Sequence, residues 1–148
     1  MPTISRKLNI ISRCGGLYRA KELSDGELAP FHHGFIFAIC RSPGLSQEAL
    51  SRILCYNKST VARRLAFLED HGYITRIPSE QDKRILQVYP TDKMLDVLPR
   101  IREIARTWND AVSADIPEAD LQVFERVLDL IAVRAKELAG IADEEVDA

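Results

Sequence analysis

Leu45-Ser46-Gln47-Glu48-Ala49-Leu50-Ser51-Arg52-Ile53-Leu54-Cys55-Tyr56-Asn57-Lys58-Ser59-Thr60-Val61-Ala62-Arg63-Arg64-Leu65 is the stretch that decides the fold. Ser46 is an N-cap residue with an apolar neighbour before it, Leu45, and another four places on, Leu50. Asn57 repeats the arrangement with Tyr56 and Val61. Each is a hydrophobic staple, which fixes the angle at which the chain enters a helix. The two helix starts lie only eleven residues apart, joined through Leu54-Cys55-Tyr56. So short a repeat demands a sharp helix-turn-helix.

Working outward, the second helix is expected over 58–71, stopped by Gly72. Tyr73–Ile77, ended by Pro78, reads as a strand. Ser79–Lys83 reads as a polar tip, and Arg84–Pro90 as the returning strand of a hairpin. Upstream, helices are expected over 5–23 and 31–41, separated by Asp25-Gly26 and Pro30, with Gly15-Gly16 marking a close helix contact. Downstream, Thr91-Asp92 opens a long helix to about residue 115, which Pro99 is expected to kink or delay. Pro117 opens a last helix with the stripe Leu121, Phe124, Leu128, Ile131, Ala135 and Leu138. The fold class is therefore mainly α (α+β). A winged helix-turn-helix spans 31–91, and helical segments 5–30 and 92–141 flank it. The acidic tail 142–148 is expected to fray. The flanking helices carry more apolar surface than one small winged unit can cover, so they form a dimerisation region.

The 148 residues are 46% hydrophobic and 28% charged, a globular composition. No apolar run approaches the ~20 residues of a membrane span. The first residues lack the apolar core of a signal peptide, so a cytoplasmic protein without membrane association is expected. The net charge of −2 hides a segregation. Between Arg41 and Arg84, eight basic residues face five acidic ones, a local excess of +3. After Lys136 there are five acidic residues and no basic one. A basic middle in an acidic chain suits an anionic partner.

Val61, Leu65 and Leu68 share one face of helix 58–71 at 100° per residue, while Ser59, Ala62, Arg63 and Ala66 face away. Small residues permit close approach to a major groove, and a guanidinium reaches base edges. Ser59, Thr60 and the first-turn amides suit phosphate. Arg64 falls at the edge of the inward face, placed for the DNA backbone or an internal carboxylate. At the hairpin tip, Asp82 and Arg84 point to one side of an extended segment, so the carboxylate orients the guanidinium. A narrow minor groove attracts such an arginine.

These features resemble the multiple-antibiotic-resistance regulator (MarR) family of winged-helix transcription factors. The resemblance rests on the quoted stretch, on its continuation Leu68-Glu69-Asp70-His71-Gly72-Tyr73-Ile74, and on the wing Asp82-Lys83-Arg84-Ile85-Leu86-Gln87-Val88-Tyr89-Pro90-Thr91. It implies a homodimer that reads a palindromic operator in double-stranded DNA, as a repressor. The recognition helix would insert in the major groove and the wing, 78–85, in the minor groove. DNA-binding residues would be Ser46, Lys58, Ser59, Thr60, Arg63, Arg64, Asp82, Lys83 and Arg84. Cys55 departs from the glycine often found at the turn. Relatives that bind phenolic or aromatic acids imply a small effector, with His32, His33, Arg41 and Trp108 as candidate pocket residues. Those that sense peroxides imply an alternative role for Cys14, with Tyr18 on the same helix face. Cys40 is expected in the core.

Three widely spaced cysteines form no disulfide framework, and the adjacent His32 and His33 have no metal-ligand spacing. No metal or cofactor is expected. The chain carries no nucleophile elbow or phosphate loop, so an enzyme is not expected. A winged-helix module that binds protein is the alternative of another class. The outward Arg63 and wing Arg84 argue against it.

Overall fold

The computed structural model describes residues 3–141. In chain order the elements are α1 (Ile4–Glu22), α2 (His32–Arg41), β1 (Leu45–Ser46), α3 (Gln47–Leu54), α4 (Lys58–Asp70), β2 (Ile74–Pro78), β3 (Leu86–Pro90), α5 (Asp92–Ser113) and α6 (Glu118–Ala139). The fold is mainly helical with a small three-stranded sheet, as the sequence indicates. The expected acidic tail lies outside the described residues.

Local chemistry sets the helix starts. The Ser46 hydroxyl accepts the Ala49 N–H at 3.1 Å, and the Asn57 carboxamide accepts the Thr60 N–H at 2.8 Å. Thr91 caps α5 by accepting from Met94, and its own hydroxyl donates to the Gly72 carbonyl at 2.6 Å. That pair of bonds ties the start of α5 to the end of α4. Gly72 takes a φ of +76°, a conformation that favours a residue without Cβ. Cys55 adopts the left-handed conformation at φ 55°, so the α3–α4 turn keeps its usual shape with a cysteine where glycine is easiest.

The core lies between the helix-turn-helix, the sheet and the first half of α5. Phe35, Ile36 and Ile39 of α2 are buried against Leu50 of α3 and Val61, Leu65 and Leu68 of α4. Ile74, Val88 and Met94 close the cluster. The inward face of α4 is thus the expected one, and its opposite face is left open.

The sheet is antiparallel in the order β1-β3-β2. Within the hairpin Ile74 faces Pro90 and Pro78 faces Leu86. The returning strand starts at Leu86 rather than at Arg84, because residues 83 and 84 turn. β1 was not expected. It is two residues long, too short for a period-two pattern, and exists because Leu45 and Ser46 pair with Val88 and Gln87. α5 runs unbroken from Asp92 through Pro99, so its start is not delayed. Burial of Met94 and Leu98 on one side of the proline, and of Ile101 and Ile104 on the other, holds it through the missing hydrogen bond.

Gly15 is the buried residue of α1, and a Cβ there would stand 3.5 Å from the Trp108 ring of α5. This is a close helix approach. Gly16 makes no comparable contact. Helix α6 is different in kind, since none of its residues is buried. Besides the expected stripe it exposes Val123, Val127, Leu130 and Val133. Together these positions wrap an arc of roughly 240° at 100° per residue.

Candidate nucleic-acid interface

The open face of α4 presents Arg63, which is exposed. At the helix start Lys58 and Ser59 are exposed and Thr60 is half-buried. The Ser59 hydroxyl donates to the Asn57 side chain at 2.9 Å, so it stiffens the cap. The first-turn amides and the positive end of the helix dipole lie on this side, a combination suited to phosphate.

The wing tip lies between β2 and β3. Its Ser79 N–H donates to the Ile85 carbonyl at 2.8 Å, closing the loop. Asp82 accepts from Arg84 at three points: the backbone N–H at 3.1 Å, Nε at 3.0 Å and Nη2 at 3.0 Å. The pairing is the expected one, but its geometry is not that of an extended segment. The carboxylate reaches the N–H two residues on, an Asx-type turn, and then grips the guanidinium along its edge. Arg84 holds the Asp82 carboxyl below its usual range, and Asp82 pushes the Arg84 guanidinium up. The Arg84 side chain is nonetheless 90% exposed. It is oriented without being covered. Lys83 beside it is exposed.

Ser46, Lys58 and Arg84 meet in one hollow of about 310 Å³ between the start of α3, the start of α4 and the wing. Gln47, Glu48, Ile85 and Leu86 complete its wall. Three residues drawn from separate stretches of sequence therefore share one surface.

Arg64 lies elsewhere. Its guanidinium carbon sits 3.7 Å above the Phe31 ring and 4.9 Å from that of Tyr56. No carboxylate receives it: its Nη1 is buried with no acceptor among the described residues. Burial is the main cause that lowers its pKa. The rings come from the residue before α2 and from the α3–α4 turn, separations at which no linear pattern announces a contact.

The four candidate pocket residues divide. His33 and Trp108 line a hollow of about 410 Å³ under α1, with Arg19, Phe31, Tyr56 and Gly15. Tyr18 packs on Trp108 with ring centroids 5.4 Å apart. The Arg19 Nε is buried without an acceptor among the described residues. No spacing in the sequence marks Arg19 as part of the wall of this hollow, which tertiary packing assembles. Burial lowers the pKa of His33, against the Pro30 carbonyl 2.7 Å from its Nδ1. His32 lines a separate hollow with Arg63, Arg64, Phe31 and Phe67. It is 2% exposed, stacks on Phe67 at 4.6 Å, and accepts the Ala29 N–H on Nδ1 at 3.0 Å. Arg41 ends α2, exposed and in neither wall.

Cys14 is exposed on α1 and Cys55 on its turn. Cys40 is half-buried against the core, where desolvation pushes its thiol up. Among the described residues no His/Cys/Asp/Glu group is placed to hold a metal ion, and no helix is long and apolar enough to cross a membrane.

The profile of the MarR family matches residues 28–85, from the entry to α2 through the wing tip. The chain is also 31% identical over 102 residues to YybA of Bacillus subtilis strain 168, described as an uncharacterized HTH-type transcriptional regulator. The match covers 69% of this chain and 68% of that protein. The chain belongs to the MarR family. Solved structures share the fold. A MarR transcriptional regulator from Methanosarcina mazei Go1 superposes with a TM-score of 0.85 at 24% identity, covering 91% of this chain and 97% of that one. A MarR-family regulator from Listeria monocytogenes, solved in complex with a 26mer DNA, gives 0.87 at 22% identity, covering 97% and 99%. The sequence resemblance thus holds at the level of family, and the winged-helix assignment holds with it.

Proposed function

We propose that this MarR-family chain is a cytoplasmic homodimeric repressor, not an enzyme, that binds an imperfect inverted repeat in duplex DNA and is released by a small aromatic acid. In this reading α4 enters the major groove, with Arg63 reading base edges and Lys58, Ser46 and the first-turn amides holding phosphates. The Asp82-oriented Arg84 enters the adjoining minor groove. The observation that carries the reading is the hollow where Ser46, Lys58 and Arg84 converge. It joins both helix starts and the wing into one surface that carries two cations, Lys58 and Arg84, against one carboxylate, Glu48, and Arg63 stands exposed on the open face of α4. The DNA-bound Listeria relative of the same fold supports it.

Dimerisation follows from α6 and α1. An α6 with no buried residue and a 240° apolar arc, and an α1 that exposes Ile4, Ile10, Ile11 and Leu17, offer surface for a second copy. Segments 5–30 and 92–141 then form the dimerisation region around the winged unit 31–91. Two recognition helices related by a two-fold axis address half-sites ~34–36 Å apart. The hollow under α1 suits the effector: Trp108, Tyr56 and Phe31 line it with aromatic surface, and Arg19 is the cation of its wall.

The test is fluorescence anisotropy on the protein's own upstream region, at two salt concentrations, with and without benzoate. Affinity that falls steeply with salt, and falls further with benzoate, supports the reading. Salt-insensitive or absent binding refutes the DNA surface. Indifference to benzoate at saturating concentration refutes release by a simple aromatic acid.

A further inference from the structure

Arg64 sits directly after the base-reading candidate Arg63 on α4, yet it is turned into the protein. Phe31 and Tyr56 approach its guanidinium carbon at 3.7 and 4.9 Å, and Phe35 lies behind them at 5.9 Å. Phe35 and Tyr56 are themselves stacked, with planes 16° apart. The cage is therefore built from three elements: the entry to α2, α2 itself, and the α3–α4 turn. Its strength is cation–π attraction in a partly desolvated setting. It competes with an unsatisfied N–H, since Nη1 finds no acceptor among the described residues. A side chain held this way fixes the rotation of α4 about its own axis. That rotation decides where Arg63 points.

The cage also has a second neighbour. Phe31 and Tyr56 line the hollow under α1 together with Trp108 of α5. The same two rings thus touch the recognition helix through Arg64 and form part of the wall of the candidate effector hollow.

We infer that Arg64 is a positioning residue: caged by Phe31 and Tyr56, it orients α4 for DNA instead of contacting DNA, and it links α4 to the wall of the Trp108 hollow. This rests on the proposed reading of DNA by α4. Two consequences separate it from a phosphate contact. Removing its charge leaves the salt dependence of binding intact, because no counterion is released at Arg64. Removing Phe31, which is not on α4, has the same effect as removing Arg64.

The experiment selects a duplex from a random pool with the parent protein. It then measures anisotropy isotherms over a range of salt for the parent, Arg64→Met, Arg64→Lys and Phe31→Leu, with circular dichroism to confirm folding. Emission from Trp108, the single tryptophan, is followed in the same titrations. Arg64→Met and Phe31→Leu are expected to weaken binding by about two- to thirtyfold. The slope of log K against log salt should stay at the parent value. Arg64→Lys should lose less, since it keeps a cation for the rings. Saturating duplex should change Trp108 emission in the parent, and the change should be absent in Arg64→Met. A slope lowered by about one in Arg64→Met, a Phe31→Leu variant that binds like the parent, or a Trp108 response that is missing in the parent or unchanged in Arg64→Met would overturn the inference. If Arg64→Met does not fold, Arg64→Gln carries the salt-slope test and Phe31→Leu the affinity test. A parent that binds no duplex refutes the DNA reading and this inference together, whereas a bound parent with a lowered Arg64→Met slope refutes the inference alone.

Discussion

Acidification should destabilise this protein in a window set by His32. The ring is 2% exposed, stacked on Phe67 and met edge-on by Phe31, and its Nδ1 accepts the Ala29 N–H. Only the neutral form can accept there. Burial first, then the positive charges of Arg64 and His71, lower its pKa from 6.5 to about 4. The folded state thus resists a proton that the unfolded chain accepts. Stability is complete above pH 6.5 and is lost as pH falls toward the folded value. Integrating between about pH 7.5 and pH 4.5 gives a loss of roughly 2–3 kcal/mol from this ring. With a urea slope of about 2 kcal/mol/M, the unfolding midpoint should drop by about 1 M. His33 is shifted in the same direction and adds to the trend. The carboxyls of Asp25, Glu27 and Asp82 are held below their usual ranges and contribute only at lower pH. The assay is urea unfolding by circular dichroism at both pH values and fixed protein concentration. His32→Phe keeps an aromatic ring in the stack and removes the titration. Its midpoint should move far less with pH than the parent's. An equal pH response in parent and variant would refute the reasoning.

Other outcomes follow from the same geometry. Arg84→Ala should weaken DNA binding across sequences and lower the salt slope by about one, measured by anisotropy. Asp82→Asn should leave the fold unchanged by circular dichroism and weaken binding roughly two- to tenfold, because an unheld Arg84 must be ordered on binding. Arg63→Ala should relax preference at particular base pairs by about 1–3 kcal/mol, read from binding to single-substituted duplexes. Gly15→Ala should be tolerated, since the Cβ meets the Trp108 ring at ordinary contact and the flexible end of Arg19, 3.2 Å away, need shift only by a few tenths of an ångström, whereas Gly15→Val should lower the melting temperature.

Features encoded within a few residues were legible in sequence. The Ser46 and Asn57 caps, their staples and the inward face of α4 depend on contacts within one or two turns. The Asp82–Arg84 pair is legible as chemistry, though its geometry is a turn and not the expected extended segment at the tip. Features that need distant partners were not. β1 exists only against Val88. Pro99 suggests a delayed helix start, yet α5 begins at Asp92 because burial on both sides of the proline holds it together. Arg64 was read by its angle on the helix, which gives direction but not the aromatic rings that Phe31 and Tyr56 bring from other elements. The second apolar arc of α6 has no period of its own to announce it, because one stripe already satisfies the helical repeat. His32 and His33, neighbours in sequence, point into different hollows.

Hydroxyl-radical footprinting of a parent-selected duplex tests the central claim most directly. Twin α4 helices and wings predict two protected patches one helical turn apart, related by a two-fold axis, each flanked by protection in the adjoining minor groove. A single patch, or none at protein concentrations that saturate anisotropy, would contradict it.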